Sequence, residues 1–223
     1  PVFGGGEPSD QVFQISGLLL GQSTKKNVHS KTRNIDIFDV KADVEATLAA
    51  LGAPKKVQIT RAGNSWWHPG RHGCIGLGPK TVLAVFGEIH PKILKAMDVK
   101  GPAVAFTIWP NSIPTPRNKK STRSALNLVD LQAVERDFAF IVDNKVEASD
   151  LVTAAYGADK KLIQDVRVFD EFVGKEFGNE KKSVALTVRL QPAEKTLTDA
   201  EIEDLSKKVI ERVENATGGV LRT

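Results

Sequence analysis

Residues 182–190 read Lys182-Ser183-Val184-Ala185-Leu186-Thr187-Val188-Arg189-Leu190. Large apolar residues alternate without a break with small or polar ones. Val184, Leu186, Val188 and Leu190 fall on one side, and Ser183, Ala185, Thr187 and Arg189 on the other. Side chains along a strand point alternately to its two faces, so this is a strand with one buried and one open face. Its neighbours extend the pattern. Residues 136–142 and 163–173 are rich in aromatic and β-branched residues and read as strands. Between them, 148–156 suits a short helix with Leu151, Val152 and Ala155 on one face and Gly157 past its end. Thr198 and Glu201 match a capping box, and Ile202, Leu205, Val209 and Val213 follow at helical spacing. Gly218-Gly219 stops that helix, and 220–222 is a short last strand. The order strand, helix, strand, strand, helix, strand is the split βαβ, or ferredoxin-like, arrangement: two helices on one face of a four-stranded antiparallel sheet.

Upstream the pattern is less regular. Residues 12–20 read as a strand. Residues 41–51 read as a helix with Val44, Leu48 and Leu51 inward, ended by Gly52. Residues 74–77 and 81–87 flank Gly78-Pro79-Lys80 as a hairpin. Pro91 opens a short helix through Met97, and 103–108 is another strand. The class of the whole is α+β with mainly antiparallel sheets.

Charge separates the two regions. Residues 1–123 carry 17 Lys/Arg and 8 Asp/Glu, whereas 124–223 carry 14 and 19. Between them lies a proline-rich, basic, apolar-poor stretch that reads as a linker. The expected domains are 1–117 and 128–223, joined by a linker at 118–127. With 41% hydrophobic and 26% charged residues the chain has the apolar content a packed core needs, which excludes a disordered chain. No run approaches the ~18 apolar residues of a membrane helix, so no membrane partner is expected. The single cysteine, Cys74, excludes an internal disulfide and points to a reducing, intracellular setting. A first residue of Pro1 rather than Met gives the expectation of a piece of a longer protein.

Several chemistries are weighed and set aside. His68, His72 and Cys74 invite a metal, but no second ligand cluster accompanies them. They read instead as a Pro-Gly turn before the hairpin, with Arg71 on the surface or pairing a carboxylate. A Cys74–His72 nucleophile pair is discounted on strand alternation. Gly76-Leu77-Gly78 lacks the third glycine and the Lys-Ser/Thr of a phosphate loop. Asp36, Asp39 and Asp43 fit no calcium-loop spacing, and Asp39 suits the start of the following helix. No catalytic residue and no metal site is expected.

The open face of the ferredoxin-like sheet is the more promising feature. Such faces hold single-stranded RNA, with unstacked bases lying on aromatic rings. Phe138, Phe140, Phe169 and Phe172 are stacking candidates, although strand phenylalanines are mostly core. Composition leaves three readings: a nucleic-acid platform, a small-molecule regulatory domain, or a structural module.

A resemblance bears on the choice. Asp39-Val40-Lys41-Ala42-Asp43-Val44-Glu45, Trp67-His68-Pro69-Gly70-Arg71, Phe86-Gly87-Glu88-Ile89-His90-Pro91, Arg136-Asp137-Phe138-Ala139, Phe169-Asp170-Glu171-Phe172-Val173-Gly174, Lys182-Ser183-Val184-Ala185 and Thr196-Leu197-Thr198-Asp199 resemble, in order, segments of the C-terminal part of the β chain of bacterial phenylalanyl-tRNA synthetases. The resemblance implies an antiparallel class II synthetase-like partial domain followed by a ferredoxin-fold anticodon-binding domain. It implies a cytoplasmic chain that pairs with an α chain, in a dimer of αβ pairs, and binds tRNA(Phe). The α chain is implied to hold the ATP, Mg²⁺ and phenylalanine site, leaving this chain without a cofactor and inert in adenylation by itself. The alternative is a free-standing ferredoxin-like RNA-binding or regulatory protein.

The resemblance assigns Asp170, Phe172, Ser183 and Ala185 to the first anticodon base, a guanine. Phe172 stands where the family often has tyrosine, keeping a ring and losing a hydroxyl. Strand parity raises a difficulty. If Asp170 and Phe172 face outward in a regular strand, Val166 and Val168 do too, while Arg167 and Glu171 turn to the helices. A β-bulge near Val168 would remove the conflict. Otherwise Phe172 is core and Asp170 caps the turn.

Overall fold

The computed structural model describes residues 1–78, 80–115, 129–178, 180–193 and 195–222. The linker expected at 118–127 lies outside the described residues. The chain divides into two units, Pro1–Thr122 and Arg123–Thr223.

In the first unit, β1 (Val2–Phe3) and β2 (Gln11–Val12) form a small antiparallel ribbon. A five-stranded antiparallel sheet follows from β3 (Ile15–Leu20), β4 (Gln58–Thr60), β5 (Trp67–Leu77), β6 (Thr81–Ile89) and β7 (Ala103–Ile108), in the order β3-β7-β6-β5-β4. Helix α1 (Ile37–Ala50) packs across β6 and β7, and the short α2 (Pro91–Ala96) follows β6. Val40, Val44 and Leu48 of α1 are buried with Ile75, Ala84, Phe86, Val104 and Ile108. Burying each such side chain is worth about 1.5–3 kcal/mol.

Helix α1 starts four residues before the expected 41. Asp36 is its N-cap: its Oδ1 accepts from the amides of Phe38 (2.8 Å) and Asp39 (3.3 Å), while Asp39 Oδ2 accepts from the Asp36 amide (2.8 Å). With that start, the inward stripe runs through 40, 44 and 48. Leu51, expected inward, is the C-cap and is exposed. The expected turn at 68–71 lies within β5, where those four residues oppose one on β6 as an irregular bulge between the pairs Trp67↔Ile89 and His72↔Gly87. The strand expected at 12–20 is broken between β2 and β3, and β4 is an additional edge strand.

The second unit contains β8 (Val134–Asp143), α3 (Ala148–Tyr156), β9 (Ile163–Phe172), β10 (Lys181–Leu190), α4 (Asp199–Thr217) and β11 (Val220–Leu221). All its strand pairs are antiparallel, in the order β11-β8-β10-β9. This is the expected split βαβ order. Both helices lie on one face, where Leu151, Ala155, Leu205, Val209 and Val213 close over Phe138, Phe140, Val142, Val184, Leu186, Val188 and Leu190. Thr198 and Glu201 form the capping box of α4, and Gly218 ends it in the left-handed conformation at φ 68°, where a side chain would be strained.

Candidate nucleic-acid interface

The bulge that parity demanded is present. In the pairing of β9 with β10, Ala185 lies opposite Asp170 and Leu186 opposite Val168, so Phe169 is an extra residue on β9. The insertion resets the alternation. Val166 and Val168 keep to the helix side beside Val188 and Leu186, and Asp170 and Phe172 come to the open side beside Ala185 and Ser183. Arg167, opposite Thr187, stays on the open side, while Glu171 faces the helix side and pairs with the buried Lys182 (3.4 Å).

The four expected residues therefore meet in two adjacent rows. One row runs Val220, Ile141, Ser183, Phe172 across the four strands. The parallel row contains Ala139, Ala185 and Asp170, and the Arg222 amide donates to the Ala139 carbonyl (2.7 Å) at its β11 end. Phe172 is 44% exposed and the Asp170 carboxylate has no partner among the described residues. This excludes both the core position for Phe172 and the turn-capping role for Asp170. Ser183 is only 4% exposed. Its hydroxyl has no hydrogen-bond partner among the described residues, yet none of their buried polar side-chain atoms is left unsatisfied. The sliver of Ser183 that reaches solvent thus includes Oγ.

Of the other stacking candidates, Phe138 and Phe140 are core residues on the helix side. Phe169, at the bulge, is exposed. Two residues not anticipated from sequence complete the surface. Phe177, in the single 3-10 turn Lys175–Phe177, meets the Phe172 ring edge to face at 6.1 Å between centroids. The Arg222 guanidinium lies 5.2 Å from the centroid of the Phe177 ring. Gly174 permits this arrangement, since a Cβ there would sit 2.5 Å from Cε1 of Phe172. The one available signal for Arg222 was parity: Leu221 packs inward, so its neighbour turns outward.

The two ends of the open face differ in how their polar groups are paired. At one end Arg189 donates to Gln164 (3.0 Å) and reaches Glu135 (3.4 Å), Arg167 pairs with Glu135 (3.6 Å) and Asp165 (3.5 Å), and Thr187 donates to Asp137 (2.7 Å). These groups are committed to one another. At the other end the rings of Phe172 and Phe177 and the small Ala139, Ala185 and Ser183 lie beside the Asp170 carboxylate and the Arg222 guanidinium, neither of them in an ion pair among the described residues. That end offers a floor of small and aromatic side chains with the Asp170 carboxylate, the Ser183 hydroxyl and the Arg222 guanidinium at hand, groups that suit an unstacked base.

The first unit offers less chemistry. The face opposite α1 carries a cleft of about 740 Å³, lined by all three tryptophans (Trp66, Trp67 and Trp109) together with Cys74 and Thr107. Among the described residues Lys80 is the one charged residue lining it, and they hold no cluster suited to a metal. His72 and Cys74, two apart, share a face rather than opposing one another, which corrects the alternation argument. The His72 ring is nevertheless committed, with Nδ1 to the His68 carbonyl (2.8 Å) and Nε2 to the Arg61 carbonyl (3.1 Å). Burial raises the Cys74 thiol above its ordinary pKa, the opposite of what a nucleophile needs. Arg71 is held in a fork by Glu88, with Nη2–Oε1 at 3.0 Å, and Glu88 is correspondingly lowered.

Comparison with known proteins agrees with this division. Residues 3–109 match the phenylalanyl tRNA synthetase beta chain CLM domain, and residues 130–222 match the ferredoxin-fold anticodon binding domain. The chain is 64% identical over 222 residues to the phenylalanine–tRNA ligase beta subunit of Ruegeria pomeroyi and 59% identical over 226 residues to that of Cereibacter sphaeroides. It is 46% identical over 227 residues to that of Bradyrhizobium diazoefficiens. All or nearly all of this chain is covered each time, and 28% of each relative. The chain thus spans less than a third of the length of the relatives it matches. Identity at this level along the entire chain, with both domains matched in order, makes it a member of the phenylalanine–tRNA ligase beta subunit family.

Proposed function

We propose that the open face of the second unit holds the anticodon of tRNA(Phe) for a phenylalanine–tRNA ligase. The observation that carries this reading is the pairing of Phe172 with Ser183 and of Asp170 with Ala185 on one uncovered face. The first anticodon base, a guanine, stacks on Phe172. The Asp170 carboxylate accepts from its N1 and N2 donors, Ser183 Oγ supplies a further hydrogen bond, and Ala185 leaves room for the ring. The bulge at Phe169 turns these groups outward while Val166 stays buried and Val168 keeps to the helix side.

The wider assignment is part of the same proposal. Residues 1–117 are a class II synthetase-like partial domain that supports an α chain, 118–127 a linker, and 128–223 the anticodon-binding domain. The α chain carries the ATP, Mg²⁺ and phenylalanine site, in a cytoplasmic dimer of αβ pairs. Transfer of an adenylyl group needs several charges clamping the phosphates. Lys80 alone in the tryptophan-lined cleft does not supply them, so this chain takes no direct part in the chemistry.

In the assembled ligase, Phe172→Ala weakens tRNA(Phe) binding roughly ten- to hundredfold, because stacking is worth ~1–3 kcal/mol per base. Asp170→Ala lowers discrimination for guanine over the other first anticodon bases. Binding and charging of transcripts with each first base measure both effects. If both variants treat every transcript as the parent does, the reading is wrong.

A further inference from the structure

Arg222 is poised for a task that the four anticodon-site residues leave undone. Its amide donates to the Ala139 carbonyl at 2.7 Å, which aligns it with Ala139, Ala185 and Asp170 in one row. A cation and an anion thus stand at opposite ends of a floor made of two alanines. Three strand spacings of about 4.8 Å separate their backbones by ~14 Å. The long arginine side chain shortens that gap, because its guanidinium leans over the ring of Phe177, which itself abuts Phe172.

The guanidinium carbon lies over the Phe177 ring, 5.2 Å from its centroid, and no carboxylate among the described residues engages the guanidinium. This differs from the two other arginines of the open face. Arg167 and Arg189 are tied to Glu135, and also to Asp165 and Gln164 respectively. A guanidinium held over an aromatic ring with no carboxylate partner keeps N–H donors available, an arrangement that suits a phosphate.

We propose that Arg222, held by Phe177, binds the backbone phosphate next to the nucleotide whose base rests on Phe172. The inference rests on the anticodon reading and adds to it a contact that sets register without reading sequence. Phe177 is a positioning residue. It orients the guanidinium on one side and the Phe172 ring on the other.

The test measures tRNA(Phe) affinity against monovalent salt in the assembled ligase. Releasing one phosphate contact on a single strand changes the slope of log K against log salt by about 0.7. Arg222→Gln is expected to make the slope shallower by that amount and to weaken binding about tenfold at low salt, leaving the preference for guanine unchanged. Arg222→Lys keeps the charge and is expected to retain the parent slope while losing part of the affinity. Phe172→Ala in the same series separates the two claims. A weakened Phe172→Ala alongside an unchanged slope for Arg222→Gln overturns the phosphate contact and leaves the anticodon reading standing. Parent-like binding by both variants overturns both. An Arg222→Gln variant that loses guanine preference at parent slope makes Arg222 a base reader and overturns the proposal.

Discussion

At the scale of the residue, the open face depends on a close approach. The Phe172 ring lies against Gly174, where any Cβ would come within 2.5 Å of it. Gly174→Ala therefore displaces the ring, and we expect it to weaken tRNA(Phe) binding in the same direction as Phe172→Ala while leaving the melting temperature near that of the parent. A parent-like affinity would show that the ring's position does not matter. Residue identities were the most legible part of this site. Asp170, Phe172, Ser183 and Ala185 were reachable through the resemblance, and Ser183 and Ala185 also through alternation alone. Phe177 was not, because it sits in a 3-10 turn where neither the period of a strand nor that of a helix assigns a side chain to a face. Cys74 shows the converse. Its burial was invisible in sequence, yet burial is what raises its thiol pKa and keeps it unreactive.

At the scale of the element, local signals are legible in consecutive residues, and register only through the conflict that parity raises. The alternation of β10 and the Thr198–Glu201 capping box are written in consecutive residues. The Phe169 bulge is not, because an extra residue on β9 is defined only by what lies opposite it on β10. The start of α1 was missed for a related reason. The reciprocal Asp36–Asp39 cap emerges only once the helix exists. The cap of α4 makes a prediction of its own. Thr198→Ala removes the acceptor for the Glu201 amide and should cost about 1 kcal/mol of stability. The Glu201 carboxyl is lowered to about 2, chiefly by its hydrogen bond from Lys195 and then by the Thr198 amide and hydroxyl. A folded-state pKa below the unfolded value of ~4.3 stabilises the folded chain fully above that value. The contribution is lost as pH falls from there through about 2. The gap in melting temperature between parent and Glu201→Gln should accordingly narrow below pH ~4. A gap that stays constant down to pH ~2 would show that the carboxylate does not stabilise the cap.

At the scale of the whole molecule, the change in charge sign near residue 123 is legible as a count, and the structure falls into two units, Pro1–Thr122 and Arg123–Thr223. What each unit does was not legible from charge. The basic first half turned attention to its own cations, yet Arg71 there is committed to Glu88. The anionic second half carries the face with exposed rings and with a guanidinium, that of Arg222, in no ion pair among the described residues. The reason is that net charge sums over a surface, whereas recognition depends on which few groups are left unneutralised on one face. The central claim is that this face, and not the helix side or the first unit, meets the anticodon. Amide chemical-shift mapping of the isotopically labelled chain, titrated with the anticodon stem-loop of tRNA(Phe), tests it most directly. The account predicts that the largest shifts fall on Ala139, Asp170, Phe172, Ser183, Ala185 and Arg222, with α3 and α4 little changed. Shifts centred on the exposed sides of α3 and α4, or on the first unit with Ser183 and Ala185 unmoved, would contradict it.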